Sequence, residues 1–184
     1  MPDRIWTLSN SISVSRVLLL APLGYCLFST FEGNRIWALA IILAGTLTDF
    51  IDGYLARRLH QVSELGKIVD PIADKIAVGT LALFLVLLGD VPLWYVVVVV
   101  VRDLLILAGG IYIRRTKKIV AQSNWPGKVA VNAIALYLLF STIQIQTLEW
   151  ARSTALWVSL LMMAISFAVY ARRPFIGRNV GKVA

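Results

Sequence analysis

The chain has 184 residues, of which 59% are hydrophobic, and its formal net charge is +8 at pH 7. Soluble domains are about 45–50% apolar, so this composition, with a mean hydropathy of +0.78, excludes an ordinary soluble protein and predicts an integral membrane protein. Membrane topology and attraction to anionic headgroups account for the basic excess better than nucleic-acid binding does, so no nucleic-acid partner is expected.

Six stretches are long and apolar enough to be membrane spans, since a hydrocarbon core about 30 Å thick needs about 20 apolar residues per helix. They are 12–31, 36–56, 67–88, 91–113, 125–147 and 154–171. Little chain remains outside them, so we expect a single all-α integral membrane domain, 1–184, with six transmembrane helices. Within it, residues 1–11 are expected to lie at the interface and residues 172–184 to form a basic cytoplasmic tail.

The basic residues are unevenly placed along the chain. Lys and Arg crowd the N-terminus, the second-to-third and fourth-to-fifth connections, and the tail, whereas the other connections carry only Arg35 and Arg152. By the positive-inside rule, this asymmetry predicts that both termini are cytoplasmic. We therefore expect a multi-pass protein of the cell's inner membrane, in contact with membrane lipids.

The first predicted span opens with SNSISVSR, residues 9 to 16. Ser9 or Asn10 can cap a helix here, and Arg16 can extend its guanidinium to the headgroups while its methylene groups stay in the apolar layer. Cys26, the only cysteine, lies inside this span. Packing is its expected role.

Four aspartates border the second and third predicted spans. Asp49 and Asp52 lie three residues apart at the end of one span, and Asp70 and Asp74 lie four apart at the start of the next. On a helix, residues at these spacings share a face, and the short connection makes the two helices antiparallel neighbours. We therefore expect the four carboxylates to converge at one depth near the cytoplasmic border.

Carboxylates this close repel one another, and an ionised side chain at the centre of a span costs about 2.5–3.5 kcal/mol. A cation is therefore expected among them. Oxygen ligands without nearby His or Cys favour Mg²⁺, Mn²⁺ or Ca²⁺ over zinc, and two ions could share four carboxylates. Such ions polarise a phosphate and help to deprotonate a hydroxyl. The alternative is a set of interfacial ion pairs with the neighbouring basic residues, which are Arg57, Arg58, Lys67 and Lys75.

The residues around the aspartates favour an anionic phosphate ligand. Gly53 and Gly66 remove side chains beside the carboxylates, so a bulky group can approach, and Arg57 adds a fixed cation. This stretch resembles the signature of the CDP-alcohol phosphotransferase family, DxxDGxxAR, eight residues, then GxxxDxxxD. The matching positions are Asp49, Asp52, Gly53, Ala56, Arg57, Gly66, Asp70 and Asp74.

The resemblance implies a phospholipid-synthesising transferase with a polar cavity facing the cytoplasm, in which an alcohol displaces CMP from CDP-diacylglycerol. It implies that Asp49, Asp52, Asp70 and Asp74 hold two ions, Mg²⁺ or Mn²⁺, and that Asp74 also accepts the hydroxyl proton. It further implies a homodimer. The nucleotide site implied by the resemblance comprises Asp52, Gly53, Ala56, Arg57 and Gly66.

Several polar residues are candidates for binding the acceptor. Arg102 and Asp103 fall within the fourth predicted span, where an ionisable residue is a functional candidate. Arg102 could bind an acceptor phosphate, or it could form a buried structural pair with Lys75 or an aspartate. Lys128 ends SNWPGK, residues 123 to 128, which resembles the SxxGK stretch of these synthases, and its alternative role is ordinary loop basicity. The N-terminal stretch resembles their NxLTxxR element, which adds Asn10 and Arg16 to the candidates. Lys75, beside Asp74, completes the candidate set.

The acceptor itself is less well specified by the sequence. We favour glycerol 3-phosphate, a small alcohol phosphate, with phosphatidylglycerol as an alternative lipid alcohol acceptor that would yield cardiolipin. Phosphatidylglycerol-phosphate synthases usually continue the SxxGK stretch as GKxKT, whereas Ala130 and Val131 stand here at the Lys and Thr positions. Intramembrane carboxylates also serve cation-coupled transporters, but clustering at one border beside Arg57 favours the enzyme.

Overall fold

The computed structural model describes the backbone of residues 15–58, 66–117 and 125–172, and their side chains except at 49–58, 66–71, 112–117 and 171–172. Within these ranges every regular element is helical, and each predicted span overlaps a helix. The elements are α1 (Leu20–Phe28), α2 (Asn34–Arg58), α3 (Gly66–Leu87), α4 (Leu93–Lys117), α5 (Trp125–Ile143), a 3₁₀ turn (Gln146–Leu148) and α6 (Glu149–Arg172).

Three helices of the described chain are long and apolar enough to cross a membrane by length and composition. The apolar stretches are Leu93–Ile111, Trp125–Ile143 and Gln146–Tyr170, the last of which begins in the 3₁₀ turn before α6. Ser15–Phe28 and Asn34–Thr48 are further apolar helical stretches among the residues whose side chains are described. The prediction of an all-α membrane protein is confirmed, and within the described part of the chain three of the six predicted spans meet this criterion.

The chain divides into two compact units, and the prediction of a single domain over 1–184 stays a prediction. The first unit contains α1 to α3 together with Ser141–Gln144, and the second contains α4, most of α5 and α6. In the first unit α1 packs against both α2 and α3. Cys26 on α1 is buried, as expected for a packing residue. Phe84 lies edge-on to Phe28, with ring centroids 5.5 Å apart, and sits beside Gly24.

A buried carboxylate ties together three connections of the first unit. Asp90 follows α3, and its side chain is 5% exposed. Its Oδ2 accepts a hydrogen bond of 2.5 Å from Nη1 of Arg35, at the start of α2, and its Oδ1 accepts one from Nε2 of Gln144. Gln144 has a φ of 53°, a left-handed conformation that is uncommon for a residue with a side chain. We call these three residues the Asp90 clasp.

In the second unit, α4 and α6 run parallel along a seam of polar and small residues. Tyr95 and Ser159 share a hydrogen bond of 2.8 Å between their hydroxyl oxygens. Seven residues further along both helices, Nη2 of Arg102 donates to Oγ of Ser166 at 3.0 Å. A seven-residue repeat is the spacing of left-handed helix pairs, and interhelical hydroxyl bonds are common in membranes.

Gly109 and Gly110 allow α4 and α6 to approach closely at the far end of this seam, where both lie beside Tyr170. A Cβ at Gly110 would lie 2.9 Å from the Tyr170 hydroxyl oxygen, whereas a Cβ at Gly79 on α3 would meet nothing within 4 Å.

Alanine at these two glycines is therefore expected to have opposite effects on stability. Gly79→Ala should leave the protein unchanged or stabilise it by about 0.5–1 kcal/mol, because helical glycine is costly. Gly110→Ala should destabilise it, since overpacking typically costs about 1–3 kcal/mol. Thermal unfolding in detergent micelles measures both, and a Gly110→Ala variant at least as stable as Gly79→Ala would contradict the packing described.

Candidate functional site

The aspartate positions lie on two helices, as the sequence predicted. Positions 49 and 52 fall in the second half of α2, and positions 70 and 74 fall in the first half of α3. Each pair is therefore one helical turn apart on its own helix. Because α1 packs against both α2 and α3, the two helices that carry the aspartates belong to one packed group.

Most of the predicted ligands lie outside the described side chains. This holds for seven of the eight signature residues, which are Asp49, Asp52, Gly53, Ala56, Arg57, Gly66 and Asp70, and Asn10 lies outside the described residues altogether. Among the described residues, no group of three or more His, Cys, Asp or Glu side chains could hold a metal ion. The metal and nucleotide assignments of these residues therefore stay predictions.

Asp74 is the signature residue whose side chain is described. Its carboxylate is 56% exposed, and Oδ1 is paired with Nη1 of Arg16. The sequence offered Arg57, Arg58, Lys67 and Lys75 as counter-charges. The structure adds Arg16, which lies just before α1 in the helical stretch Ser15–Phe28. An accessible oxygen donor of this kind suits Mg²⁺ or Mn²⁺, so the one described ligand fits the predicted ion.

Arg102 lies in a polar cluster of the second unit. Its Nη1 donates to Oδ1 of Asp103 at 2.8 Å, and its Nη2 donates to Ser166, whose side chain is fully buried. The structure thus contains a pair with an aspartate, which the sequence offered as one alternative, but the pair is only partly buried, because the Asp103 side chain is 38% exposed. The long Arg side chain reaches the neighbouring residue even though adjacent helical positions diverge by about 100°. Acceptor binding by Arg102 stays a prediction.

The two described lysine candidates are both exposed. Lys128 lies in the first turn of α5, and Lys75 follows Asp74 on α3. Beyond Lys128, Ala130 is 0% exposed and Val131 is 56% exposed. A lysine at position 130 would start from a fully covered backbone position, so the missing Lys of the GKxKT pattern agrees with the burial of Ala130.

Sequence reasoning missed three features of the described chain. The pairing of Arg16 with Asp74 joins elements that are far apart in sequence, and no local pattern predicts it. The Asp90 clasp likewise joins residues that are far apart in sequence. The contact of Ser166 with Arg102 could have been suggested by the sequence, because Ser166 follows Ser159 by the same seven residues that separate Arg102 from Tyr95.

Comparison with known proteins places the chain in a family. The family model described as CDP-alcohol phosphatidyltransferase matches residues 6–171. A CDP-diacylglycerol--glycerol-3-phosphate 3-phosphatidyltransferase of Bacillus subtilis is 28% identical over 88% of this chain and 92% of its own length. A probable phosphatidylglycerophosphate synthase of Mycobacterium tuberculosis is 30% identical over 98% of this chain and 86% of its own.

A cardiolipin synthase (CMP-forming) of Streptomyces coelicolor is also similar, at 33% identity over 70% of this chain and 61% of its own length. The family match favours a transferase over the cation-coupled transporter that the sequence left as an alternative. The resemblance seen in the aspartate signature is confirmed over nearly the whole chain. This protein belongs to the CDP-alcohol phosphatidyltransferase family of membrane enzymes, which fits a role in phospholipid biosynthesis.

Proposed function

We propose that the protein transfers a phosphatidyl group from CDP-diacylglycerol to glycerol 3-phosphate, releasing CMP and forming phosphatidylglycerol phosphate. The observation that carries the proposal is the placement of two aspartate pairs, each one turn apart, on two helices that pack against α1. Relatives whose names specify this product or reaction match over nearly their whole length, which supports the choice of acceptor.

The four aspartates are proposed to hold two Mg²⁺ or Mn²⁺ ions through their carboxylate oxygens. When bound, such ions neutralise the charge of the pyrophosphate and favour ionisation of a nearby hydroxyl. Asp74 is open enough to serve in this way, because more than half of its side chain is exposed. The cytidine diphosphate is proposed to bind at Asp52, Gly53, Ala56, Arg57 and Gly66.

The proposed reaction is a displacement at the phosphorus that carries the diacylglycerol. The acceptor hydroxyl oxygen forms a bond to this phosphorus, and the bond from the phosphorus to the oxygen bridging to CMP breaks. The hydroxyl proton passes to the Asp74 carboxylate, and CMP leaves with the bridging oxygen. Since phosphoryl transfer depends on positioning and charge neutralisation, a site of carboxylates, metal ions and arginine suits it.

The proposed setting is the cytoplasmic face of the inner membrane. The distribution of Lys and Arg supports six spans with both termini in the cytoplasm. CDP-diacylglycerol would then enter from the bilayer, and the water-soluble acceptor from the cytoplasm. A homodimer is proposed from the family resemblance.

Cardiolipin synthesis from phosphatidylglycerol is the second candidate. It is favoured by Ala130 and Val131 at the Lys and Thr positions of the GKxKT pattern, since a lipid acceptor needs fewer cations and more apolar room than a phosphomonoester. The similarity to the Streptomyces coelicolor cardiolipin synthase also supports it. The candidates differ in one measurable property, the alcohol consumed.

Purified protein incubated with radiolabelled CDP-diacylglycerol and Mn²⁺ distinguishes the two. We expect CMP release that depends on glycerol 3-phosphate, with labelled phosphatidylglycerol phosphate as the lipid product. Release that depends on phosphatidylglycerol alone would establish the second candidate. No release with either acceptor, under conditions in which the Bacillus subtilis relative is active, would overturn both.

A further inference from the structure

The ion pair between Arg16 and Asp74 joins the helical stretch Ser15–Phe28, which includes α1, to α3. Nη1 of the arginine is paired with Oδ1 of the aspartate. The two side chains differ in exposure, at 13% for Arg16 and 56% for Asp74. The pair therefore combines a covered cation with a carboxylate that other groups can still approach.

The backbone holds Arg16 in place. Helical hydrogen bonds run from Leu19 to Ser15, at 2.9 Å, and from Leu23 to Leu19, at 3.1 Å, so the turn that bears Arg16 is continuous with α1. Since α1 packs against α3, the distance between the Arg16 and Asp74 backbones is set by helix packing. A covered guanidinium needs a counter-charge, and Asp74 supplies one.

The orientation of Asp74 matters for both roles proposed for it. A carboxylate that is half exposed can rotate among several side-chain conformations, yet a metal ligand or proton acceptor must present its oxygen in one direction. In metal sites, ligating carboxylates are themselves held by hydrogen bonds, and losing such an outer partner typically costs about 10–100-fold in metal affinity.

We infer that Arg16 is a positioning residue for Asp74, which fixes the carboxylate, through the contact with Oδ1, in the orientation that serves the divalent cation. The inference rests on the proposed function, because it assumes that Asp74 binds such a cation. A charge effect acts in the opposite direction, since a positive charge beside the site repels a dication. The sign of the change in metal affinity on removing Arg16 therefore distinguishes positioning from repulsion.

The test is Mn²⁺ affinity, measured by electron paramagnetic resonance on the full chain in detergent micelles. Arg16→Gln should weaken Mn²⁺ binding by about 10–100-fold. Arg16→Lys should recover part of the loss, because an ammonium can hold one carboxylate oxygen but lacks the planar fork of the guanidinium. Arg152→Gln, which removes an arginine paired with Glu149 at 3.2 Å in the second unit, should leave the affinity unchanged.

A coupled variant separates positioning from loss of structure. If Arg16 acts through Asp74, adding Arg16→Gln to Asp74→Asn should change Mn²⁺ affinity by less than about twofold, because the two substitutions remove one interaction. A structural role would give a full additional loss in the double variant. That additivity would overturn the inference, as would unchanged or tighter binding by Arg16→Gln.

The same titration separates failure of this inference from failure of the proposed function. Wild-type protein that binds no Mn²⁺, or an Asp74→Asn variant that binds it as the wild type does, would overturn the metal site and the inference with it. Wild-type binding that Asp74→Asn weakens and Arg16→Gln does not would overturn the inference alone.

Discussion

Asp74→Asn is expected to reduce CMP release by at least about 10²–10⁴-fold, the range that a general base contributes. Asparagine keeps the size of the side chain but cannot accept the hydroxyl proton, and it removes one negative charge from the proposed metal ligands. Binding of CDP-diacylglycerol should persist in part, since three of the four proposed metal ligands remain. Turnover with radiolabelled CDP-diacylglycerol and equilibrium binding of the same lipid measure the two quantities.

This comparison needs a control for folding, because Asp74 is also the counter-charge of Arg16. The thermal unfolding midpoint of Asp74→Asn serves this purpose, together with Glu149→Gln, which neutralises an exposed carboxylate in the second unit. Glu149→Gln should retain wild-type turnover. If Asp74→Asn kept wild-type turnover, Asp74 could not be the proton acceptor.

Asp90→Asn is expected to have the largest effect on stability, a loss of about 3–5 kcal/mol, which is typical of removing one partner of a buried ion pair. Both carboxylate oxygens of Asp90 accept hydrogen bonds, one from Arg35 and the other from Gln144. Asparagine would turn an NH₂ group towards one of these two donors. The left-handed Gln144 would also lose a contact that holds its strained backbone.

Denaturant unfolding in micelles measures this loss, and Glu149→Gln again provides the matched control. The Glu149 pair with Arg152 is largely exposed on the Glu149 side, and exposed pairs contribute about 0–1 kcal/mol. We therefore expect the Asp90 variant to lose several times more stability than the Glu149 variant. Equal losses would show that the Asp90 clasp does not hold the first unit together.

The helices could be predicted from the sequence because hydropathy and helix length are local properties. The predicted fifth span, 125–147, begins at the same residue as α5, but α5 ends at Ile143, four residues earlier than predicted. Its end is set by the turn at Gln144, and the contact of Gln144 with Asp90 involves residues more than fifty positions apart. A local pattern carries no information about such a contact.

The aspartate signature could be predicted for the same reason, since its spacing follows the helical repeat. The partner of Asp74 could not, because the sequence ranks counter-charges by their proximity along the chain. Arg57, Arg58, Lys67 and Lys75 all stood nearer than Arg16. The packing of α1 on α3 determines instead that Arg16 is the partner of Asp74. Arg102 is the opposite case. Its partner Asp103 is the next residue along the chain, yet the sequence left a pair with an aspartate as only one of the possible roles of Arg102.

Dependence of CMP release on a divalent cation is the most direct test of the account. Purified protein should be stripped with a chelator, supplied with radiolabelled CDP-diacylglycerol and glycerol 3-phosphate, and titrated with Mn²⁺. We predict no CMP release before Mn²⁺ is added and full recovery as the ion saturates the aspartates. Undiminished release from the chelator-treated protein would contradict a reaction that relies on metal ions held by Asp49, Asp52, Asp70 and Asp74.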